Sequence, residues 1–343
     1  MLEQKFHKPR MKDVALAAGV STTTVSHVLN RTRFVSEETI RKVEAAVEAL
    51  CFKVNPVARN FRLGKSFFIG FVVSNLENYF YLKIAKGIEK TVKAAGYQLT
   101  LIDSGEKKDA EMKNVESLYL RDADGIIIAP TTADCGYLET LLPLGFPLVF
   151  VDRRPVNFPA DSVLLNNRKA AGDAVSHLIA RGRRRIGFVS FHFGGTGRDS
   201  TIQERAEGYK EACAAGGLEP MAAVRPWTPL DLENLKRAES YRVALDLLGR
   251  GADAFFCGNS LAAIGVYTCL QEQKVAIPGE AGLMTFDDDL WLSMTRPQIS
   301  AVEQPAELMG GLAAERLLRK IQNPAQAPES LRVEARLILR DSC

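Results

Sequence analysis

Between residues 19 and 30 the sequence reads GVSTTTVSHVLN, with three threonines, two serines, a histidine and an asparagine in twelve positions. Hydroxyl and β-branched residues are indifferent helix formers, so their concentration in a helical context needs another reason. Thr22, Thr23, Thr24, Ser26, His27 and Asn30 carry hydroxyls, an imidazole and an amide on short stems. Such groups hydrogen-bond to base edges and phosphates, and their shortness lets a helix lie close in a groove. The chemistry predicted here is recognition of nucleic acid. Residue sets suited to turnover are missing from the sequence. The histidines at 7, 27, 177 and 192 form no HExxH, and there is no GxSxG nucleophile elbow. The cysteines at 51, 135, 213, 257, 269 and 343 lack CxxC or any metal-ligand spacing, which favours reduced, buried thiols over disulfides or zinc. GGTG at 194 to 197 does not extend to the GxGxxG of an NAD-dependent oxidoreductase, and LGKS at 63 to 66 has Arg59 where a phosphate loop needs glycine. No catalytic residue, cofactor or metal is expected.

The hydroxyls need a helix to present them, and the flanking residues supply one. MKDVALAAG (11 to 19) predicts a short helix closed by Gly19, a residue that readily takes the left-handed C-cap conformation. Ser21 then caps a second helix, in which Val25, Val28 and Leu29 fall at i, i+3 and i+4 as the buried stripe. A third helix starts at Ser36, with Glu37 and Glu38 at its positive end and Ile40, Val43, Val47 and Leu50 as its core face. Three short helices, with a four-residue turn between the first two, make a helix-turn-helix head; the alternative is a small bundle with a Thr-rich surface. Charge favours the first. Residues 1 to 62 hold eleven Lys/Arg against six Asp/Glu, while the other 281 residues hold 33 against 35. A basic head on a slightly acidic body suits a polyanion partner. In NPVARNFRLGKS (55 to 66), Asn55 and Pro56 can start a helix that Gly64 stops after about two turns, too short to be stable alone in water.

From Ser66 onward the texture alternates. FFIGFVVS, YQLTLIDS, GIIIAP and PLVFVD read as buried parallel strands, as do RRIGFVSF, MAAVRP, AFFCGN and AGLMTFD, with helical stretches between. Two doubly wound α/β units in series are predicted. The 343 residues, 46% hydrophobic and 25% charged, are ample for them. The N-terminus has no secretory apolar run and FFIGFVV is too short to span a bilayer, so a cytoplasmic protein without a membrane segment is expected. Ligands of such units collect at the carboxyl ends of the strands. There Asp152 can accept hydrogen bonds from hydroxyls, and Trp227 offers a flat apolar face for a sugar ring.

The head segment KDVALAAGVSTTTVSHVLN…VSEETIRKVEAAVEAL resembles that of the LacI/GalR family of bacterial transcription regulators, closest to the ribose-repressor type in VSTxTVSHV. The similarity continues along the chain. It implies a helix-turn-helix domain at 9–54, a hinge helix at 55–65 and a periplasmic-binding-protein-like core of two parallel-sheet lobes at 66–343. Lobe 1 is expected at about 66–161 plus 294–322 and lobe 2 at about 162–293 plus 323–343, with ISAVEQPAELMGGLAAERLLRKI returning to the first lobe and LRVEARLILR closing the second. The resemblance further implies double-stranded operator DNA as a partner, a palindromic site read by a homodimer, minor-groove contact through Arg59 and Phe61, and a sugar or sugar-acid effector such as gluconate or ketogluconate. Phe61 stands where the family's intercalating leucine lies. Matching the family's pocket positions gives Tyr79, Phe80, Asp152, Arg205, Trp227, Asn259, Asp287 and Gln304. Two departures stand out: Ser260 where the family often has aspartate after FCGN, and Asp199 where purine-binding members carry arginine, which argues against a purine. No leucine heptad follows the core, which favours a dimer over a tetramer. A sugar-binding protein without DNA function shares the body but not the head.

Overall fold

A computed structural model describes residues 9–53, 65–132, 134–155, 158–192, 200–226 and 238–343. The segment read as a hinge, with Arg59 and Phe61, lies outside the described residues, as do Trp227, Arg198 and Asp199. The chain divides into two units, Met1–Ser66 and Phe67–Cys343.

In the first unit, α1 (Met11–Ala18), α2 (Thr22–Asn30) and α3 (Glu37–Ala49) follow the predicted punctuation. Gly19 closes α1 in the left-handed region, at φ 65°. The Ser21 and Ser36 hydroxyls accept hydrogen bonds from the backbone N–H groups of Thr24 (3.0 Å) and Thr39 (3.4 Å), satisfying donors that a helix start otherwise leaves unpaired. The start of α1 lacks a capping hydroxyl. Instead, Arg10 donates its backbone N–H to Asp13 Oδ2 at 2.7 Å. The turn between α1 and α2 is residues 19–21, one shorter than expected. Val14, Val25, Val43 and Phe52 form the core, with Val28, Leu29, Val47 and Leu50 half-buried around it.

The second unit holds two six-stranded sheets. The first contains β1 (Phe68–Val73), β2 (Gln98–Asp103), β3 (Gly125–Ile128), β4 (Leu148–Val151), β5 (Asp161–Leu165) and β11 (Ser330–Val333), in the order β11-β5-β4-β3-β1-β2. The second contains β6 (Ile186–His192), β7 (Met221–Pro226), β8 (Ala254–Cys257), β9 (Gly282–Phe286), β10 (Ser300–Glu303) and β12 (Arg336–Ile338), in the order β12-β10-β9-β8-β6-β7. The two orders are the same pattern, so each strand of one sheet has a counterpart in the other. The pairing is parallel except for β12. Central strands are buried on both faces, which is why they are uninterrupted apolar runs such as IIVF-type stretches at 126–128 and 148–151.

One face of the first sheet is covered by α4 (Tyr79–Ala94) and α11 (Ala306–Gln322), the other by α5 (Lys108–Leu120). In the second lobe α6 (Asn167–Ala180) and α7 (Ser200–Ala215) cover one face, and α8 (Glu239–Gly249) and α9 (Ser260–Glu272) the other. Both helix pairs cross at glycine. A methyl group on Gly310 would lie 2.1 Å from the Ile84 carbonyl oxygen, and one on Gly208 would lie 2.0 Å from that of Arg168. Backbones this close leave no room for a Cβ.

The sheet pairings move the expected lobe boundaries. β5 pairs with β4 and β11 in the first sheet, and β10 pairs with β9 in the second. The chain therefore crosses between lobes after Leu165, after Glu303 and between Val333 and Arg336. Three crossings were expected, but at about 161, 293 and 322. Thus the 299–321 stretch starts in the second sheet and only its helix returns, and LRVEARLILR is shared between the sheets. Strand membership is decided by pairing with residues far along the chain, which a local apolar pattern does not encode. Among the described residues no helix is long and apolar enough to cross a membrane.

Candidate nucleic-acid interface and effector cleft

On α2, Thr22, Thr23 and Asn30 are exposed, Thr24, Ser26 and His27 half-buried. Several of these groups are engaged locally. Thr24 Oγ1 and Ser21 Oγ share a hydrogen bond of 2.9 Å at the cap. His27 Nδ1 pairs with Thr32 Oγ1 at 2.8 Å, and the Asn30 amide donates back to the Ser26 carbonyl at 2.8 Å. Thr22 and Thr23, in the first turn, stand out most fully to solvent. That turn is where a recognition helix reaches base edges. Thr24 and Asn30 act in part as helix-terminal braces.

In the second unit, loops from the carboxyl ends of strands in both sheets enclose a cleft of about 290 Å³, near the small end of ligand pockets. Phe80, Asp152, Arg205, Asn259, Asp287 and Gln304 all line it, as their positions predicted. Tyr79 does not. It is 43% exposed with the Lys83 ammonium 5.0 Å from its ring centre, while its neighbour Tyr81 takes the cleft position. The helical period gives the reason: Phe80, Tyr81, Ile84 and Ile88 share the buried face of α4, and Tyr79 falls off it. Arg153 and Thr201 complete the lining.

Asp152 and Asp287 are the structural counterparts of one another. Each follows the corresponding strand, β4 or β9, and each adopts the left-handed backbone at φ 66° and 70°. Aspartate tolerates that conformation better than most residues, and such conformations concentrate at functional sites. The two carboxylates thus enter the cleft from opposite lobes. Tyr81 donates its hydroxyl to Asp152 Oδ2 at 2.9 Å and accepts one from Ser74 at 3.1 Å; burial holds this phenol well above its ordinary titration range. The Arg153 guanidinium lies 3.6 Å from Asp152 and 3.3 Å from Glu106. Opposite, the Gln304 amide donates to Asp287 Oδ1 at 2.7 Å. Burial pushes the Asp287 carboxyl up to about 6; Arg205 and Gln304 pull it down, and Asp289 and Asp152 push it further up.

Arg205, 4% exposed, is held rigidly. Its Nε donates to Asn167 Oδ1 at 2.8 Å, its Nη1 to the Gly258 carbonyl at 2.7 Å, and the guanidinium sits 3.9 Å from the centre of the Phe286 ring. Asn259 caps α9 by accepting from Ala262 N–H at 2.8 Å, which fixes its side chain beside the cleft. Ser260, one of the two departures noted above, donates its hydroxyl to Asp289. A carboxylate therefore does stand beside that position, supplied from the loop after β9. The pocket combines hydrogen-bonding groups at fixed orientations with an apolar wall at Phe80, the chemistry of a site for a small molecule bearing several hydroxyls.

Comparison with known proteins gives matches over nearly the whole chain. Residues 10–55 match the family described as bacterial regulatory proteins, lacI family, and residues 175–343 match a periplasmic binding protein-like domain. The ribose operon repressor of Haemophilus influenzae is 30% identical over 337 residues, 97% of this chain and 98% of that protein. The structure of the transcriptional regulator CelR in complex with cellobiose is 26% identical, with a TM-score of 0.70 over 98% of this chain and 100% of that one. The lac repressor dimer bound to operator and the anti-inducer ONPF is similar in fold, with a TM-score of 0.82 at 22% identity over 98% of this chain and 99% of that one.

Proposed function

Because the chain belongs to the LacI family of bacterial regulatory proteins, we propose that it represses genes of sugar or sugar-acid use by binding a palindromic operator as a homodimer, under control of a small polyhydroxylated effector. Its relatives are transcriptional repressors, and the chain is a DNA-binding regulator, not an enzyme. The observation that carries the effector half of the reading is the aspartate pair. Two counterpart carboxylates, each on a left-handed backbone and each from a different lobe, face one small cleft. A ligand whose hydroxyls donate to both prefers the lobe arrangement that brings them together, and only such a differential preference shifts a conformational equilibrium. In this reading the first turn of α2 reads bases, with Thr22 and Thr23 foremost and Ser26 and His27 beside them, while Arg59 and Phe61 contact the minor groove. The relative's name makes ribose the first sugar to try.

The test has two parts. An operator is selected from random DNA by the purified chain and its symmetry read from the enriched sequences; then sugars and sugar acids are screened for a raised melting temperature, and each hit is assayed for its effect on operator affinity. An asymmetric operator, or hits that leave operator binding unchanged, refutes the reading.

A further inference from the structure

The proposed effector class was left open between neutral sugars and acids, and the hydrogen-bonding inventory of the cleft narrows it. Around Asp152 and Asp287 the described residues place three carboxylates, those of Glu106, Asp152 and Asp287, against two guanidinium groups, those of Arg153 and Arg205. Arg153 faces Glu106 and Asp152, so its charge is balanced on the spot. Arg205 has two of its three nitrogens committed to Asn167 and the Gly258 carbonyl and its face against Phe286. No ion pair with Asp287 is formed among the described residues; Asp287 takes a neutral amide from Gln304. That same contact fixes the amide so that Gln304 Oε1 is buried without a hydrogen-bond partner among the described residues, in a side chain 7% exposed that lines the cleft. A buried acceptor left unmet is costly until a donor arrives.

The second lobe therefore presents acceptors, Asp287 and Gln304 Oε1 side by side, and the first lobe adds Asp152. We infer that the effector carries no negative charge: it is a neutral sugar or an amino sugar whose hydroxyl or ammonium hydrogens are donated to Asp287 and Gln304. This rests on the reading of the cleft as a polyhydroxylated-ligand site. A ligand carboxylate brought to this wall meets like charge and two acceptors, a juxtaposition that opposes binding.

The full-length chain is titrated with matched sets: D-ribose, D-glucose and D-galactose, their aldonates and uronates, and glucosamine, with melting temperature and calorimetric affinity as readouts. The expected result is that the tightest ligand is uncharged or cationic and that its matched acid binds roughly tenfold or more weakly. Asp287→Asn, which keeps the shape and removes the charge, should narrow that gap; an unchanged gap overturns the role given to Asp287. An acid that binds more tightly than its neutral counterpart in the unsubstituted chain overturns the inference while leaving a polyhydroxylated effector intact. If no member of the panel binds, the reading of the cleft itself falls.

Discussion

Asp287 is a carboxylate kept at the expense of stability, and replacing it with asparagine should show this directly. Its carboxyl titrates at about 6 in the folded protein against an ordinary value of 3.8, chiefly through burial, with Asp289 and Asp152 adding to the rise and Arg205 and Gln304 opposing it. The folded state thus binds this proton more tightly than the unfolded one. Stability from this group is full below pH 3.8 and is lost as the pH rises towards 6, with a total loss of about 3 kcal/mol. Asparagine has no proton to lose, accepts the Gln304 hydrogen bond at the same oxygen, and tolerates the left-handed backbone. Asp287→Asn should therefore be more stable than the parent at neutral pH. Of the total, about 1–2 kcal/mol falls between pH 5 and 7.5, so the variant's advantage should grow by that amount over this range. Urea unfolding followed by far-UV circular dichroism at both pH values measures it, and the comparison cancels every other titrating group. An advantage that is constant with pH, or that shrinks as pH rises, would refute the argument that burial disfavours the charged form here.

Three further outcomes follow from the geometry. Replacing Thr22 and Thr23 together with alanine should reduce the preference for operator over random DNA by about 1–3 kcal/mol per lost base contact, measured by gel shift; equal loss on both DNAs would mean the threonines contact only backbone. Arg205→Ala should abolish stabilisation by any effector in a thermal-shift titration while leaving effector-free operator affinity nearly unchanged, and should itself cost about 1–3 kcal/mol because Asn167 and the Gly258 carbonyl lose their buried donor. Gly310→Ala should destabilise the core by at least about 1–3 kcal/mol through collision with the Ile84 carbonyl, whereas Gly311→Ala, whose methyl would meet only Thr91 Oγ1 at 3.5 Å, should be neutral or slightly stabilising; similar melting temperatures for the two variants would disprove the close helix crossing.

Much of this site was legible in the sequence because the signals were local. Ser21, Ser36 and Gly19 punctuate the head by their own side-chain and backbone chemistry, and runs such as FIGFVV mark strands buried on both faces. The cleft residues Phe80, Asp152, Arg205, Asn259, Asp287 and Gln304 come together in the structure at the positions the family pattern gives them. The misplacement of Tyr79 for Tyr81 was avoidable, since the helical period of α4 separates the two. Other features had no local signature. The four- and five-residue strands β5, β10 and β11 are too short to show a period, and their sheet is chosen by partners more than 100 residues away in the case of Ser162 and Ser330, as the separation of 168 shows. The local engagement of His27 by Thr32 and of Asn30 by Ser26 depends on side-chain rotamers that a residue pattern does not specify.

The crossing of the chain between sheets has a consequence for incomplete copies of this protein. The apolar face formed by Ile69, Val149 and Val151 is covered by Met309, Ala313 and Leu317 of α11, which is made only after the whole second sheet except β12. A polypeptide released early, anywhere before residue 306, carries a finished head on a body whose first lobe still shows that face to water. Exposed apolar surface of this kind invites aggregation and degradation. Loss of the sensing body by premature termination should accordingly remove the fragment from the cell, so that a nonsense mutation in the latter half of the gene behaves as a null allele and not as a regulator that occupies its operator without heeding its signal.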